Sequence, residues 1–480
     1  MRTLTDTLKA AQQEYSIDAL VKIVLTKGDD TYTYTRTRIL PSEHDEEVYS
    51  QRAKVIVDNS DGEFDAKNLE GFKGVISYGA VTGEGDEYSV VAPLWVKHQQ
   101  FNSMPGVLTC ELELIGIPNL MMEDEASENY TPDEEDTETV KSLVNAIAGA
   151  TLGSLTILKA YDVVWDAGYD TLADTYMPKD GFTITTGGSR LAALKRALDF
   201  TANVPRFEAD GKIHILKPVT TGTSYDYKYN LQSGHTFFYK AYRETLVIPN
   251  RIVVKSKTKD DPQYSGEATI SGYASLPDEV KKTEYVQMRL QSNDEAGDVA
   301  QALIAKAEVW SARGSAEVPI NVGAEIFDYI KVTDQRQDDT RTGNVGYVHR
   351  RFGGGTWSMT FGFGNWLEWL RYRNMLKELE VYGGDYFKSL TVETLYATDI
   401  WLTDIQGDLD DIEDGETYVR KNWVHLDATG VYVGEETLYS LRIPGEGDNN
   451  LWKSATAPVG PELADIWIDT SGATDVVKRW

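Results

Sequence analysis

The chain has 480 residues, too many for one hydrophobic core, so we expect three or four domains. It carries 76 acidic against 47 basic residues, a net charge of −29, and such a surface repels phosphate backbones and disfavours a nucleic-acid-binding role. Its single cysteine, Cys110, excludes intramolecular disulfides and cysteine-rich metal sites. There is no run of 18 apolar residues, and residues 1–16 lack the apolar stretch of a signal peptide. We therefore expect a soluble protein, made in a cytoplasm, with no membrane segment.

Residues 17–117 are predicted to be entirely β. Their segments alternate or run apolar, and clusters of Gly, Asp and Asn separate them. The predicted strands are Ala19 to Leu25, Thr31 to Arg38, Arg52 to Val57, Gly74 to Tyr78, Glu87 to Val96 and Val107 to Gly116. Strands at such short spacing favour a small barrel or sandwich, which we place in residues 1–121.

An acidic segment, residues 122–138, follows the β region. It holds nine carboxylates and no basic side chain, so it is predicted to be a linker or an exposed loop. The oxygen-ligand spacing of a calcium loop is missing, which disfavours a calcium site.

Residues 139–245 are predicted to form an α+β domain. Val140, Leu143, Val144 and Ile147 share one helix face, and a second helix is expected in residues 189–203. A hairpin should follow, with strands in 204–208 and 212–216 joined through Asp210 and Gly211. The tyrosine-rich residues 225–229 are predicted to be a half-buried edge strand.

The most informative stretch is residues 292–364. Apolar residues recur at helical spacing from Ala296 to Trp310, and Ser292 with Glu295 has the spacing of a capping box. Strands are predicted in 317–322, 328–333, 343–352 and 356–363, with the polar residues 334–342 as a loop. Gly353 to Gly355 should supply the positive φ of a tight hairpin turn.

The C-terminal part changes character again. Residues 366–379 have helical spacing, and residues 390–405 repeat apolar, Thr and Asp steps that cannot bury their apolar side alone. Three copies around an axis could bury it, so residues 366–420 are predicted to be a helix and a trimeric stalk-like segment. Residues 421–480 are predicted to be a small β module.

Catalytic signatures are missing from the sequence. No zinc-protease, nucleophile-elbow, Walker or dinucleotide-binding pattern occurs, so no catalytic residue, cofactor or metal site is predicted. The histidines are scattered, without metal-ligand spacing: His44, His98, His214, His235, His349 and His425. Glycoside hydrolysis needs only two suitably placed carboxylates, and the sequence selects no pair. Trp423, Trp452 and Trp467 are candidates for stacking on sugars, although packing explains most of the tryptophans.

Two separate regions resemble one protein family. The first runs from Pro249-Asn250-Arg251 through a helix and several strands to a Gly-rich hairpin and Phe361-Gly362-Phe363-Gly364. The second combines residues 55–64 with residues 69–71 and 74–79. Both resemble the β-barrels of baseplate or tail-tip hub proteins of tailed bacteriophages.

The resemblance implies a mainly β homotrimer. Each chain would give two small β-barrels, in residues 1–121 and 246–365, with the α+β domain inserted between them. Six barrels would form a pseudo-sixfold ring that adapts the sixfold tail tube to a threefold tip, and the ejected DNA would pass through its lumen without specific binding. The implied location is the virion tail tip, and the implied neighbours are tail tube, distal tail, tape-measure, and tip or fibre proteins.

Two other functions compete with the structural one. A receptor- or glycan-binding tail protein would contact the host through the C-terminal module. A secreted polysaccharide-degrading β-protein would belong to a different class.

Overall fold

The computed structural model describes most of residues 1–372 and parts of the remainder. The gaps up to that point are 15–16, 134, 157, 232–238, 243–245, 257–261, 313, 366–367 and 369–370. Beyond residue 372, the backbone of seven short strands is described. The chain divides into two compact units, Met1–Asp385 and Tyr386–Trp480, and each is considered by itself.

The first unit is mainly β, as the sequence predicts. Its strands are β1 (Ala19–Lys27), β2 (Asp30–Thr35), β3 (Ile39–Glu47), β4 (Ser50–Asp58), β5 (Lys73–Thr82), β6 (Gly85–Val90), β7 (Leu94–Met104), β8 (Val107–Gly116), β9 (Val163–Trp165), β10 (Val204–Phe207), β11 (Ile213–Leu216), β12 (Tyr227–Leu231), β13 (Tyr239–Tyr242), β14 (Arg251–Ser256), β15 (Ser265–Thr269), β16 (Thr283–Met288), β17 (Gly314–Val318), β18 (Tyr329–Asp334), β19 (Asp339–Gly353) and β20 (Thr356–Phe363). Its helices are α1 (Asp6–Ala11), α2 (Ile117–Glu123), α3 (Val140–Ala148), α4 (Leu172–Thr175), α5 (Arg190–Leu198) and α6 (Asn293–Ser311).

Strands β1 to β8 form the first β-module. Their inward side chains alternate with exposed ones, and Ile23, Val55, Leu112 and Cys110 are fully buried in the core. The prediction for residues 87–96 was wrong in detail, because the segment splits into β6 and β7. Strand β3 was missed altogether.

Helices α2 to α5 and the small sheet β10-β11-β9 form the α+β region. Arg190 at the start of α5 is fully buried and donates hydrogen bonds to the backbone oxygens of Ile147 and Lys159, which fixes α5 against α3. Part of the acidic segment is held on this region, since Ala126 N–H donates to Gly188 and Tyr130 exchanges backbone hydrogen bonds with Ile184.

Helix α6 begins where the sequence predicts. The Ser292 hydroxyl accepts from Glu295 N–H at 3.0 Å, and the Glu295 carboxylate accepts from Gln291 N–H at 2.7 Å, one residue before the usual position of a capping box. Its apolar face packs on the three-stranded sheet β15-β14-β16.

Strands β12, β13 and β17 to β20 form the second β-module. The loop predicted for residues 334–342 is shorter than expected: β18 and β19 pair as a hairpin from Tyr329–Asn344 to Asp334–Asp339, and only residues 335–338 form its turn. Most of the polar side chains there are exposed or half-exposed, whereas Asp334 is buried and pairs with Lys240. The hairpin β19/β20 was predicted correctly, and Gly354 and Gly355 have φ of +59° and +75° in its turn.

The two β-modules share one sheet. Its strand order is β13-β17-β20-β19-β3-β4-β8-β7-β5-β1-β2. In addition, β18 pairs with β19, β12 pairs with β18, and β6 pairs with β5. The pairing of β19 with β3 is the seam between the modules.

The second unit contains two small sheets. Strands β21 (Asp399–Thr403), β22 (Trp423–Asp427) and β23 (Gly430–Val433) form one, and β24 (Leu441–Ile443), β25 (Asn449–Ser454), β26 (Ile466–Asp469) and β27 (Val476–Arg479) form the other. Most of the predicted helix and stalk in residues 366–420 lies outside the described residues. Among the helices that are described, none combines the length and apolarity needed to cross a bilayer.

Candidate assembly site at the seam between the β-modules

The seam is a six-residue antiparallel ladder. Tyr347 to Phe352 of β19 lie opposite Glu47 to Ser42 of β3. One face of this ladder points into the core and the other is exposed, as the alternation of a sheet requires. The backbone therefore connects residues some 300 positions apart in the chain.

A buried ion pair crosses the core side of the seam. Arg350, fully buried, donates from Nη1 to Glu46 Oε2 at 2.6 Å and from Nη2 to Ala324 O at 2.7 Å. Burial opposes ionisation of Glu46, but the nearby positive charges, Arg350 first and then Arg2, together with the hydrogen bond from Arg350, outweigh it and lower the pKa of Glu46 to about 2. Burial lowers the pKa of the neighbouring His44 to about 3, so its ring is neutral at pH 7.

The N-terminal segment lies across both modules. Arg2 N–H donates to Gly323 O at 2.9 Å, and the Arg2 guanidinium donates to Val322 O at 2.8 Å. Leu8 on α1 is buried, and α1 packs against β5 of the first module. These contacts add a second connection between the modules beside the seam.

The exposed face of the seam is charged and mixed in sign. Arg351 pairs with Glu43 at 2.6 Å, and His349 pairs with Asp45. Lys54 on the next strand pairs with Glu111 at 2.6 Å. Because at least one member of each pair is exposed, each pair contributes about 0–1 kcal/mol, and the pairs set the polarity of the face more than its stability.

The two modules contribute matching sets of four strands to the shared sheet. The second module gives β13-β17-β20-β19 and the first gives β3-β4-β8-β7, and every neighbouring pair is antiparallel. In both sets, the first two strands in chain order occupy the first and second positions of the set, the third strand occupies the fourth position, and the last strand occupies the third position. The sets therefore agree in connection and in strand direction.

The agreement extends to details of the two long hairpins. β7 has a bulge between Val96 and His98, and β19 has one between Val345 and Tyr347. After the bulge, each strand continues for seven residues, to Met104 in β7 and to Gly353 in β19, and a two-residue turn follows. Residue by residue, His98 thus corresponds to Tyr347.

One histidine is surrounded by carboxylates in the α+β region. His214 Nδ1 lies 2.8 Å from Asp166 Oδ1, and its Nε2 lies 3.2 Å from Asp210 and 3.6 Å from Glu208. Asp166, Glu208 and His214 could hold a metal ion, but Arg206 already pairs with both Glu208 and Asp166. Burial opposes the charged imidazole, yet the hydrogen bonds with Asp166 and Asp210 raise the pKa of His214. We read the cluster as an ion-pair network. Spacing in the sequence did not reveal it, because its members come from three different strand ends.

The tryptophans predicted to stack on sugars lie in the second unit. Trp423 is in β22, Trp452 in β25 and Trp467 in β26, and the last two are opposite each other in a parallel pair. Their side chains lie outside the described residues, so sugar contact stays a prediction.

Comparison with known proteins gives matches of structure only. No protein-family model and no curated protein sequence matches the chain. The tail protein from Neisseria meningitidis aligns with a TM-score of 0.50 and 10% identity, covering 72% of this chain and 96% of that one. Two further matches are the prophage tail protein gp18 from Listeria monocytogenes (TM-score 0.47, 8% identity, 75% and 99% covered) and the E. coli c3393 protein, a component of the type VI secretion system (0.40, 12%, 87% and 90%).

The chain shares its fold with this Neisseria meningitidis tail protein. The resemblance predicted from the sequence is thereby confirmed at the level of fold. At 10% identity the likeness carries no further conclusion about residues or partners.

Proposed function

We propose that the protein is a structural hub of a phage or phage-like tail tip, without enzymatic activity. It would act as a homotrimer that adapts the sixfold tail tube to a threefold tip. Its neighbours would be tail tube, distal tail, tape-measure, and tip or fibre proteins in the virion.

The observation that supports this most is the matching of the two four-strand sets. A chain with two equivalent units side by side can build a ring of six from three copies. Such a ring presents near-sixfold symmetry to one partner and true threefold symmetry to another. A monomeric enzyme has no need of this repetition.

The dimensions of such a ring suit a channel. Three copies of eight strands, at the usual strand spacing and tilt, would close a sheet roughly 40–50 Å across between backbones. Barrels of about 16–18 strands already leave an aqueous lumen. The exposed face of the seam would line it, and an acidic excess there, with Glu43, Asp45 and Glu47 on β3, would keep a polyanion from adhering.

The proposal is tested by size-exclusion chromatography with light scattering on the full chain. We expect a mass three times 53.6 kDa, and binding to purified sixfold tail tubes. A monomer at every concentration that also fails to bind tubes would contradict the hub function. Release of reducing sugar from host polysaccharide by the purified chain would favour an enzyme instead.

A further inference from the structure

We propose that the outer edge of β7 in one copy pairs antiparallel with the outer edge of β13 in the next copy. Phe101, Asn102 and Ser103 would lie opposite Tyr242, Ala241 and Lys240 of the neighbouring copy. This inference rests on the proposed ring and specifies which strands, in which register, close it.

Both strands have an edge without ladder partners in the part of the chain that the structure describes, and in β7 this edge begins beyond Val96, which still bonds to the backbone of Gly71 and Phe72. β7 pairs with β8 along its whole length, but with β5 only at Leu94 and Trp95. β13 pairs with β17 and with no other described strand. An unpaired strand edge is a template for main-chain pairing with another chain.

The direction of the strands permits this closure. The eight strands from β13 to β7 alternate strictly, so β13 and β7 run in opposite directions. Copies related by rotation about the ring axis keep their strand directions. β7 therefore meets β13 of the next copy as an antiparallel neighbour, and the alternation continues without interruption.

The seam within one chain supplies the register. β19 and β7 occupy the fourth position of their sets, and β3 and β13 occupy the first. Because β19 pairs with β3 inside the chain, the equivalent contact between copies joins β7 to β13. Counted from the bulge, Phe101 of β7 has the same position as Arg350 of β19. Followed across the ladders of β17 and β4, Tyr242 of β13 has the same position as His44 of β3. Arg350 lies opposite His44, which places Phe101 opposite Tyr242.

Exposed apolar side chains concentrate on the hairpin that would be covered. Phe101, Met104, Val107 and Leu108 are 48%, 59%, 44% and 41% exposed, and they make up four of the eleven exposed large apolar residues described. At the position that corresponds to Phe101, Arg350 is fully buried by the neighbouring module. Phe101 and Leu108 lie on one face of the hairpin and Met104 and Val107 on the other, so both faces of its free end are apolar. Exposure of several large apolar side chains at one place is typical of an interaction surface.

A disulfide-trapping experiment on the full chain tests the pairing. Asn102→Cys combined with Ala241→Cys places two thiols directly opposite each other, and the fully buried Cys110 is left in place. Gln100→Cys with Ala241→Cys is the matched control, because it moves one thiol two residues along the same face, about 7–8 Å from its partner. Glu43→Cys with Arg351→Cys, an opposed pair within the seam, checks that the oxidation chemistry works.

After mild oxidation we expect covalent dimers and trimers from the first pair, at about tenfold the yield of the matched control, since a direct cross-strand pair alone fits disulfide geometry. Light scattering on the reduced variants separates the two proposals. If the variants are trimeric but the two cysteine pairs cross-link with equal yield, or neither cross-links, the register is wrong while the hub function still stands. Variants and wild type that are both monomeric would overturn the ring and the pairing together. Fast amide exchange at residues 98–104 in a trimeric sample would also contradict the pairing.

Discussion

At the scale of single residues, the seam depends on one buried ion pair. Glu46 and Arg350 come from different β-modules and are shielded from water. Removing one member of such a pair leaves an uncompensated charge, which typically costs about 3–5 kcal/mol. The pair between Glu43 and Arg351 lies on the opposite, exposed face of the same ladder, so removing one of its members costs much less.

We expect Glu46→Gln to lower the free energy of unfolding by about 3–5 kcal/mol at pH 7, measured by urea denaturation. The pKa of Glu46 falls to about 2 in the folded protein, below its ordinary value, so its stabilising effect is present above about pH 4.5 and lost as the pH falls through 2. The difference between wild type and variant should shrink over that window. Glu43→Gln is the control, with an expected effect within about 1 kcal/mol. Equal effects for the two variants would contradict the assignment.

At the scale of elements, α6 is attached to α5 through a buried lysine. Lys306 Nζ donates to Leu198 O at 2.7 Å and lies 3.4 Å from Asp199 Oδ1, and Arg371 also pairs with Asp199 at 3.0 Å. Burial lowers the pKa of Lys306 to about 8, although Asp199 pulls it upward. The lysine is therefore still mostly charged at pH 7 and needs its partner.

We expect Asp199→Ala to cost about 3–5 kcal/mol in unfolding free energy, because it removes the carboxylate that pairs with the buried Lys306 ammonium. Lys306→Met should cost clearly less, since Arg371 still neutralises Asp199 and the methionine fills the space. Raising the pH from 7 to 9 should relieve part of the Asp199→Ala defect by neutralising Lys306. If Lys306→Met proves the more damaging change, the explanation by uncompensated charge is wrong.

Elements with local signals could be predicted from the sequence, and those that depend on distant partners could not. Helix α6 carries its own N-cap and the β19/β20 hairpin its own turn glycines, and the predicted start of the helix and the predicted turn match the structure. Strand β3 carries Pro41 and four acidic residues, so it lacks the pattern of a strand. Two of its carboxylates, Glu46 and Glu43, pair with Arg350 and Arg351, about 300 positions away, and this is why the seam escaped prediction.

At the scale of the whole molecule, the essential feature is repetition. The sequence suggests two β-barrels from residue order, but in the strand correspondence β3 and β13 share no residue, and β7 and β19 share only the valine before the bulge, Val96 and Val345. The correspondence becomes visible only in the strand order, the two bulges and the two seven-residue hairpins. A backbone arrangement can repeat while its side chains diverge, because ladder hydrogen bonds do not depend on residue type.

The most direct test of the hub proposal is electron microscopy of the purified full chain. We predict class averages of a ring with threefold symmetry, six similar lobes and a central opening. Particles without a central opening, or rings whose two kinds of lobe differ in shape, would contradict it.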